Sequence, residues 1–233
     1  MPESSAVTVP ALAVVPGLVH GFGRRASGSS SELRERTAAR VTAELSRDGR
    51  LLLLQQVHGA LVATAPWNGT PEADAAVAAE PGWLLGIQTA DCQPVLLVDP
   101  ERRLVAAAHA GWRGTAAGVT RQAVRELVAR GSRPRDIVAA LGPGIGLCCY
   151  EVGEELREAF GPAGAPFFRP GPNGRPHLDV RAANVRQLLE AGVAAEAIHH
   201  VADCTYCRPE LYHSYRREGH GTGRMISFVG FKR

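Results

Sequence analysis

A chain of 233 residues, 45% hydrophobic and 21% charged, has the composition of an ordinary globular protein. It is long enough to bury a core without staples, and wholesale disorder is excluded. The formal charge is +3, carried by scattered arginines because Lys232 is the only lysine, and aromatic residues make up only 6%; nucleic-acid binders cluster basic charge beside stacking aromatics, so no nucleic-acid partner is expected, whereas dispersed arginines suit an anionic small substrate.

The start, Met1-Pro-Glu-Ser-Ser5, has no basic stretch followed by an apolar run, so no secretory leader is expected. Residues 1–19 read as an extended segment punctuated by Pro10, Pro16 and Gly17, ahead of a Gly/Ser loop, Ala26-Ser-Gly-Ser-Ser-Ser31. The spacing of Leu33, Ala38, Val41 and Leu45 predicts a helix over 32–47 with Ser31 as its N-cap. Residues 51–57 read as a buried strand ending at His58-Gly59, 60–65 as a short strand, 66–74 as a loop and 83–88 as a strand. Apolar runs such as 51–54 are too short to span a bilayer, so no membrane partner is expected.

Apolar strands over 94–98 and 104–108 flank the turn-forming Asp99-Pro-Glu-Arg102. A hairpin centred between Pro100 and Glu101 places Val98 opposite Arg103, Leu97 opposite Leu104 and Cys92 opposite His109. Opposed residues in an antiparallel pair lie about 4.5–5.5 Å apart at Cα, so this register brings a thiol to an imidazole. A helix over 115–129 with Val119, Ala123 and Leu127 on one face follows, stopped by Gly131. Residues 137–141 read as a strand, 142–146 as a tight loop, 150–160 as a helix, 161–176 as a Gly/Pro-rich loop and 178–191 as an amphipathic helix ending at Gly192. Strands over 198–201 and 225–230 complete the chain. Irregular alternation with at least one hairpin predicts an α+β fold with mixed sheets, and with no repeat or linker the expectation is a single domain over 1–233.

Gly142-Pro-Gly-Ile-Gly146 lacks the lysine and the glycine spacing of the nucleotide loops and reads as a turn. Cys204-Thr-Tyr-Cys207 has knuckle spacing, but the adjacent Cys148-Cys149 is an awkward second half, so these cysteines read as structural or incidental. Five cysteines argue against a fully paired disulfide framework and predict a reducing cytoplasm. His20, His199, His200 and His213 are uninformative one at a time. His58, Cys92 and His109 differ as a set, because each lies where an apolar strand meets a polar junction, with glycines beside the two histidines. Two imidazoles and a thiolate suit zinc, and three protein ligands leave the fourth position open. Asp91 is placed to orient a ligand or to shuttle a proton. The alternatives are three separately buried residues, a metal-free Cys92 nucleophile activated by His109, and a non-catalytic metal-binding module closed by Cys149 or Cys204.

The stretches Gln56-Val-His-Gly59, Thr89-Ala-Asp-Cys-Gln-Pro-Val-Leu-Leu97, His109-Ala-Gly-Trp-Arg-Gly-Thr115, Gly142-Pro-Gly-Ile-Gly146 with Tyr150-Glu-Val-Gly153, and Ser214-Tyr-Arg-Arg217 with Gly223-Arg224 occur in this order. From about residue 20 to the end the chain resembles the YfiH-like family, also called the polyphenol oxidase or laccase-domain family. His20-Gly-Phe22 with Arg25 and Gly28, and Asp74-Ala75, are similar to further motifs of that family, while Arg24, Ser27 and Gly144 depart from its usual pattern. The resemblance implies an α+β fold with sheets sandwiched between helices, in α/β/β/α layers. It implies metal ligands at His58, Cys92 and His109, with zinc the expected ion and copper the alternative. It further implies a purine nucleoside phosphorylase acting on adenosine, inosine and methylthioadenosine with adenosine deaminase activity. The second implied activity is peptidoglycan editing, removing a misplaced serine from a muropeptide precursor. Small molecules, nucleoside with phosphate or the muropeptide, are the expected partners, and the oligomeric state is left open, a monomer included. Arg25, Arg113 and Arg216 offer fork-shaped cations for phosphate. Copper-dependent polyphenol oxidation is disfavoured, because eight histidines with no His-x-His pair are a poor match to a multicopper oxidase.

Overall fold

The structure, a computed structural model, describes residues 6–25 and 50–233. The helix predicted over 32–47 and the Gly/Ser loop before it lie outside these residues. Two mixed sheets form the frame. The first has five strands: β1 (Ala6–Val7), β2 (Leu18–Gly23), β13 (Met225–Phe231), β6 (Trp83–Thr89) and β3 (Arg50–Leu53), in that order. The second has six: β12 (Ile198–His200), β9 (Val138–Leu141), β7 (Gln93–Asp99), β8 (Leu104–Ala110), β5 (Ala75–Ala78) and β4 (Val62–Thr64). Among the described strands, β3/β6, β4/β5 and β9/β12 pair in parallel and the others antiparallel.

The sheets pack face to face. Phe22, Leu85, Ile87 and Val229 of the first meet Leu96, Val98, Val105 and Ala107 of the second in one buried cluster. The other face of the second sheet, with Val95, Leu97, Ala106 and Ala108, is covered by Val119, Ala123 and Leu127 of helix α3 (Val119–Ala129) and by Leu188 of helix α5 (Val180–Glu190). Both faces of β7 and β8 are therefore buried, which is why these strands are continuous apolar runs rather than alternating ones. The fold is α+β, and the described elements supply a helix layer and both sheets of the expected sandwich. Among the described residues no helix is long and apolar enough to cross a membrane.

Five local expectations are corrected. The 161–176 segment is not a plain loop: it holds a 3₁₀ turn over Pro162–Phe167 and most of a two-stranded antiparallel pair, β10 (Phe168–Pro170) and β11 (Pro176–Leu178). The amino-terminal segment is not simply extended: it holds β1, the one-turn helix α1 (Pro10–Ala13) and the start of β2. β3 stops at Leu53, because the backbone beyond it turns to bond elsewhere, Gln55 N–H donating to Pro71 O. The predicted 115–129 helix is two helices, α2 (Trp112–Ala116) and α3, divided at Gly118, whose φ of 83° breaks the helical run. The predicted 150–160 helix survives only as α4 (Glu155–Phe160). Residue 151 instead bridges His177, while Val152 N–H donates to Pro176 O and Leu178 N–H to Tyr150 O.

His20 on β2 is buried, and its Nε2 accepts the Val9 N–H at 3.0 Å. Burial lowers its pKa below the 6.5 of a free histidine. The unfolded chain therefore binds a proton here that the folded chain refuses, and stability falls as pH drops from 6.5 toward the lower folded value. Denaturant melts of His20→Asn, which keeps an acceptor but does not titrate, are expected to show a shallower loss of stability below neutral pH. An unchanged acid limb would remove His20 from the account.

Candidate metal centre

His109 is the sixth residue of β8, facing Pro94 of β7. Cys92 immediately precedes β7, and His58 lies in the loop after β3. Their ligand atoms all lie within 4.8 Å of one another, and the two imidazole rings meet edge to face with centroids 4.8 Å apart. The hairpin joins β7 and β8 as expected, but its register is displaced by two residues. Val98 pairs with Val105, and Cys92 does not stand opposite His109. The turn is the cause. Asp99 is buried and accepts the Arg102 N–H at 3.0 Å, and Arg103 takes a left-handed φ of 55°, so four residues rather than two separate Asp99 from its partner Leu104. A shift of two keeps every side chain on its face.

The partner of His109 on the protein side is Asp74, just before β5. Its Oδ1 accepts from His109 Nδ1 at 2.7 Å, which leaves Nε2 of His109 as the nitrogen available to a metal. The same carboxylate accepts the backbone N–H groups of Val57 at 3.1 Å, His58 at 2.9 Å and Gly59 at 2.6 Å. It thereby braces His58 in a left-handed conformation with φ 62°, a strained backbone that these contacts help to hold. Burial pushes the Asp74 carboxyl up, but His109 and these amides outweigh it and hold it below its ordinary value. Burial likewise opposes a Cys92 thiolate, yet the His109 and His58 imidazoles bring the thiol down to about 6. Burial opposes a charged His109 too, and the Cys92 thiolate with Asp74 raises it to about 9. The sequence places Asp74 only within a family motif and gives it no role at the site. The signal was available, since a ligating histidine almost always donates its second nitrogen to an acceptor, and Asp74 heads a fully buried strand.

Gly111 supplies the space. A Cβ there would lie 3.0 Å from Cys92 Sγ and 3.1 Å from His58 Cδ2. The donor set and this cradle fit a metal ion, and two imidazoles with a thiolate suit zinc or a copper of the His₂Cys type. Gly111→Ala is expected to weaken metal binding roughly tenfold by displacing two ligands a few tenths of an ångström. A competition titration against a chromogenic chelator reads this, and unaltered affinity would show that the glycine is not needed for space.

Asp91, with φ 87°, turns its carboxylate toward the carboxy-terminal segment. There it accepts Thr205 Oγ1–H at 2.6 Å, Ser214 Oγ–H at 3.0 Å and the Arg216 backbone N–H at 2.7 Å. Arg216 in turn stacks over Tyr150 at 5.3 Å and donates to Glu151 O. A cavity of about 550 Å³ opens here, lined by Trp112, Tyr150, Glu151, Glu155 and Arg216 among others. Tyr150 is close enough to Cys92 and Asp91 that burial, aided by their negative charge, raises its phenol well above the ordinary value. Of the three candidate arginines the structure brings Arg216 to this cavity. Arg113 lies over the Trp112 ring at 4.3 Å, and Arg25 is paired with Glu218.

Cys148, Cys149, Cys204 and Cys207 do not join this centre as a fourth ligand. They gather into a group of their own. The adjacent pair and the knuckle pair do come together, contrary to expectation, because Gly144 bridges Cys204 in parallel and carries the two segments side by side.

A family model described as "Multi-copper polyphenol oxidoreductase laccase" matches residues 24–232. The chain belongs to this family. Within the laccase family it is 45% identical over 182 residues to a protein of Deinococcus radiodurans named purine nucleoside phosphorylase, covering 77% of this chain and 70% of that one. It is 40% identical over 160 residues to a prokaryotic protein named adenosine deaminase RL5, covering 67% of this chain and 61% of that one. The crystal structure of YlmD from Geobacillus stearothermophilus superposes with a TM-score of 0.88 at 30% identity, over 100% of this chain and 98% of that one. The laccase name finds little support in the residues. All eight histidines are described, and among them only His58 and His109 enter a potential metal group, whereas a multicopper oxidase requires a further histidine set beyond its His₂Cys site.

Proposed function

We propose that the protein is a zinc-dependent purine nucleoside phosphorylase that also deaminates adenosine, acting as one domain on small molecules. What supports this reading is the His58–Cys92–His109 donor set together with a nearby cavity lined by Trp112, Tyr150 and Arg216, whose Tyr150 feels the charge of Cys92. When bound, zinc supplies Lewis-acid chemistry and an open coordination position. The protein does the rest. Asp74 keeps His109 in the tautomer that presents Nε2 and fixes the loop that presents His58. Trp112 and Tyr150 offer faces to a purine. Arg216, with its backbone fixed by Asp91, offers paired N–H groups to phosphate. Asp91 acts on the reaction by positioning Arg216, since three donors already occupy its carboxylate. Five free thiols fit a reducing cytoplasm.

The metal-free alternative takes Cys92, His109 and Asp74 as nucleophile, base and orienting acid. His58 favours the metal: it completes a ligand set and has no place in such a triad.

The test is an assay of adenosine with phosphate, read for adenine and for inosine, beside a serine-containing muropeptide precursor. Release of adenine that depends on phosphate supports the proposal, and turnover of the muropeptide alone overturns it. Arg216→Ala is expected to raise the KM for phosphate about tenfold or more, the worth of a charge-assisted hydrogen bond, with metal content unchanged. An unchanged KM would move phosphate recognition elsewhere.

A further inference from the structure

The five cysteines of this chain divide between two places, and the metal centre uses only one of them. Cys148 and Cys149 follow the Gly142–Gly146 turn, and Cys204 and Cys207 sit on the segment after β12. Their four sulfurs all lie within 4.8 Å of one another, with Cys148 Sγ 3.8 Å and Cys149 Sγ 3.3 Å from Cys207 Sγ. Four thiolates at 2.3 Å from a tetrahedral zinc stand about 3.8 Å apart, so the group has roughly the dimensions of such a site. Cys204-x-x-Cys207 is the spacing of a zinc knuckle, and the Gly146 N–H points at Cys204 Sγ at 3.2 Å, the kind of contact that stabilises a ligating thiolate. All four are free, and Cys148 and Cys207 are exposed. Thiols are weak hydrogen-bonding groups, so four of them have little reason to converge at a surface for one another's sake.

We propose that Cys148, Cys149, Cys204 and Cys207 form a second metal site, a closed tetrathiolate that binds zinc for a structural purpose. Four protein ligands leave no open position, which separates this site from the three-ligand centre. Its purpose follows from what it joins. Gly144 O accepts the Thr205 N–H at 3.1 Å, Asp91 O accepts the Ile145 N–H at 2.8 Å, and Thr205 Oγ1–H reaches the Asp91 carboxylate. A metal across the two cysteine pairs cross-links the two segments that brace the Asp91-Cys92 turn, with 54 residues between Cys149 and Cys204 closed into one loop.

Metal content of the full chain, purified under reductant and supplied with zinc, tests this. Two equivalents per chain are expected, falling to one in Cys204→Ser/Cys207→Ser and to one in Cys92→Ala. Cobalt substitution covers the case in which the double variant fails to fold. With five thiolate–cobalt bonds in the wild type and four in Cys92→Ala, about four-fifths of the charge-transfer absorbance is expected to remain in the latter. One equivalent in the wild type that persists in Cys204→Ser/Cys207→Ser, complete loss of that absorbance in Cys92→Ala, or a disulfide among the four cysteines in reductant-treated protein would each overturn the proposal.

Discussion

Cys92→Ala is expected to empty the His58–Cys92–His109 centre and to lower adenosine phosphorolysis by a factor on the order of 10³ or more, the scale on which loss of a preorganised electrostatic group is felt. The thiolate is the only anionic ligand of the three, and it lies where two imidazoles already favour its charged form. Without it two neutral imidazoles remain, too few for a zinc site. A nucleophilic Cys92 would lose activity equally, so the decisive comparison is with the wild type. Extraction with a chelator is expected to abolish turnover and added zinc to restore it. Activity that survives chelation intact would sink the metal reading and leave the Cys92–His109–Asp74 triad in its place.

Asp74→Asn is expected to weaken zinc binding at this centre by about 10–100-fold and to lower the melting temperature by roughly 6–12 °C. The carboxylate is fully buried and accepts four N–H groups, from His109, Val57, His58 and Gly59. An asparagine turns one acceptor oxygen into a donor NH₂ group, so at least one of those donors faces another donor. Breaking a buried charge-assisted network of this kind costs about 3 kcal/mol. The His58 loop, no longer held at positive φ, relaxes away from Cys92. Isothermal titration with zinc and thermal melts read the two effects separately. Wild-type affinity in this variant would show that Asp74 neither orients His109 nor shapes the loop.

Much of the site was legible because residue type and local pattern carry it. The apolar runs marked β7, β8, α3 and α5, and the polar junctions at the ends of such runs marked His58, Cys92 and His109. Less local features were not legible. β5 is three alanines and a valine, too small and uniform a run to announce a strand that is buried on both faces. Tyr150 begins what reads as a helix, but its backbone is committed to the 176–178 segment far along the chain. The Asp99 turn hid the hairpin register, because an aspartate that caps a four-residue loop and one that begins a two-residue loop have the same composition.

The sequence by itself determined the chemistry available: which strands are apolar, and that a thiol and two imidazoles lie at polar junctions where such strands begin or end. Only the tertiary structure decided who meets whom. It set Asp74 against His109, closed the gap between Cys149 and Cys204, turned Asp91 toward Arg216 and brought Arg216 rather than Arg25 to the cavity. The physical reason is that ligand identity is a property of one residue. Each of these meetings depends on strand register and turn length, where a shift of two residues costs no hydrophobic burial and yet changes every partner.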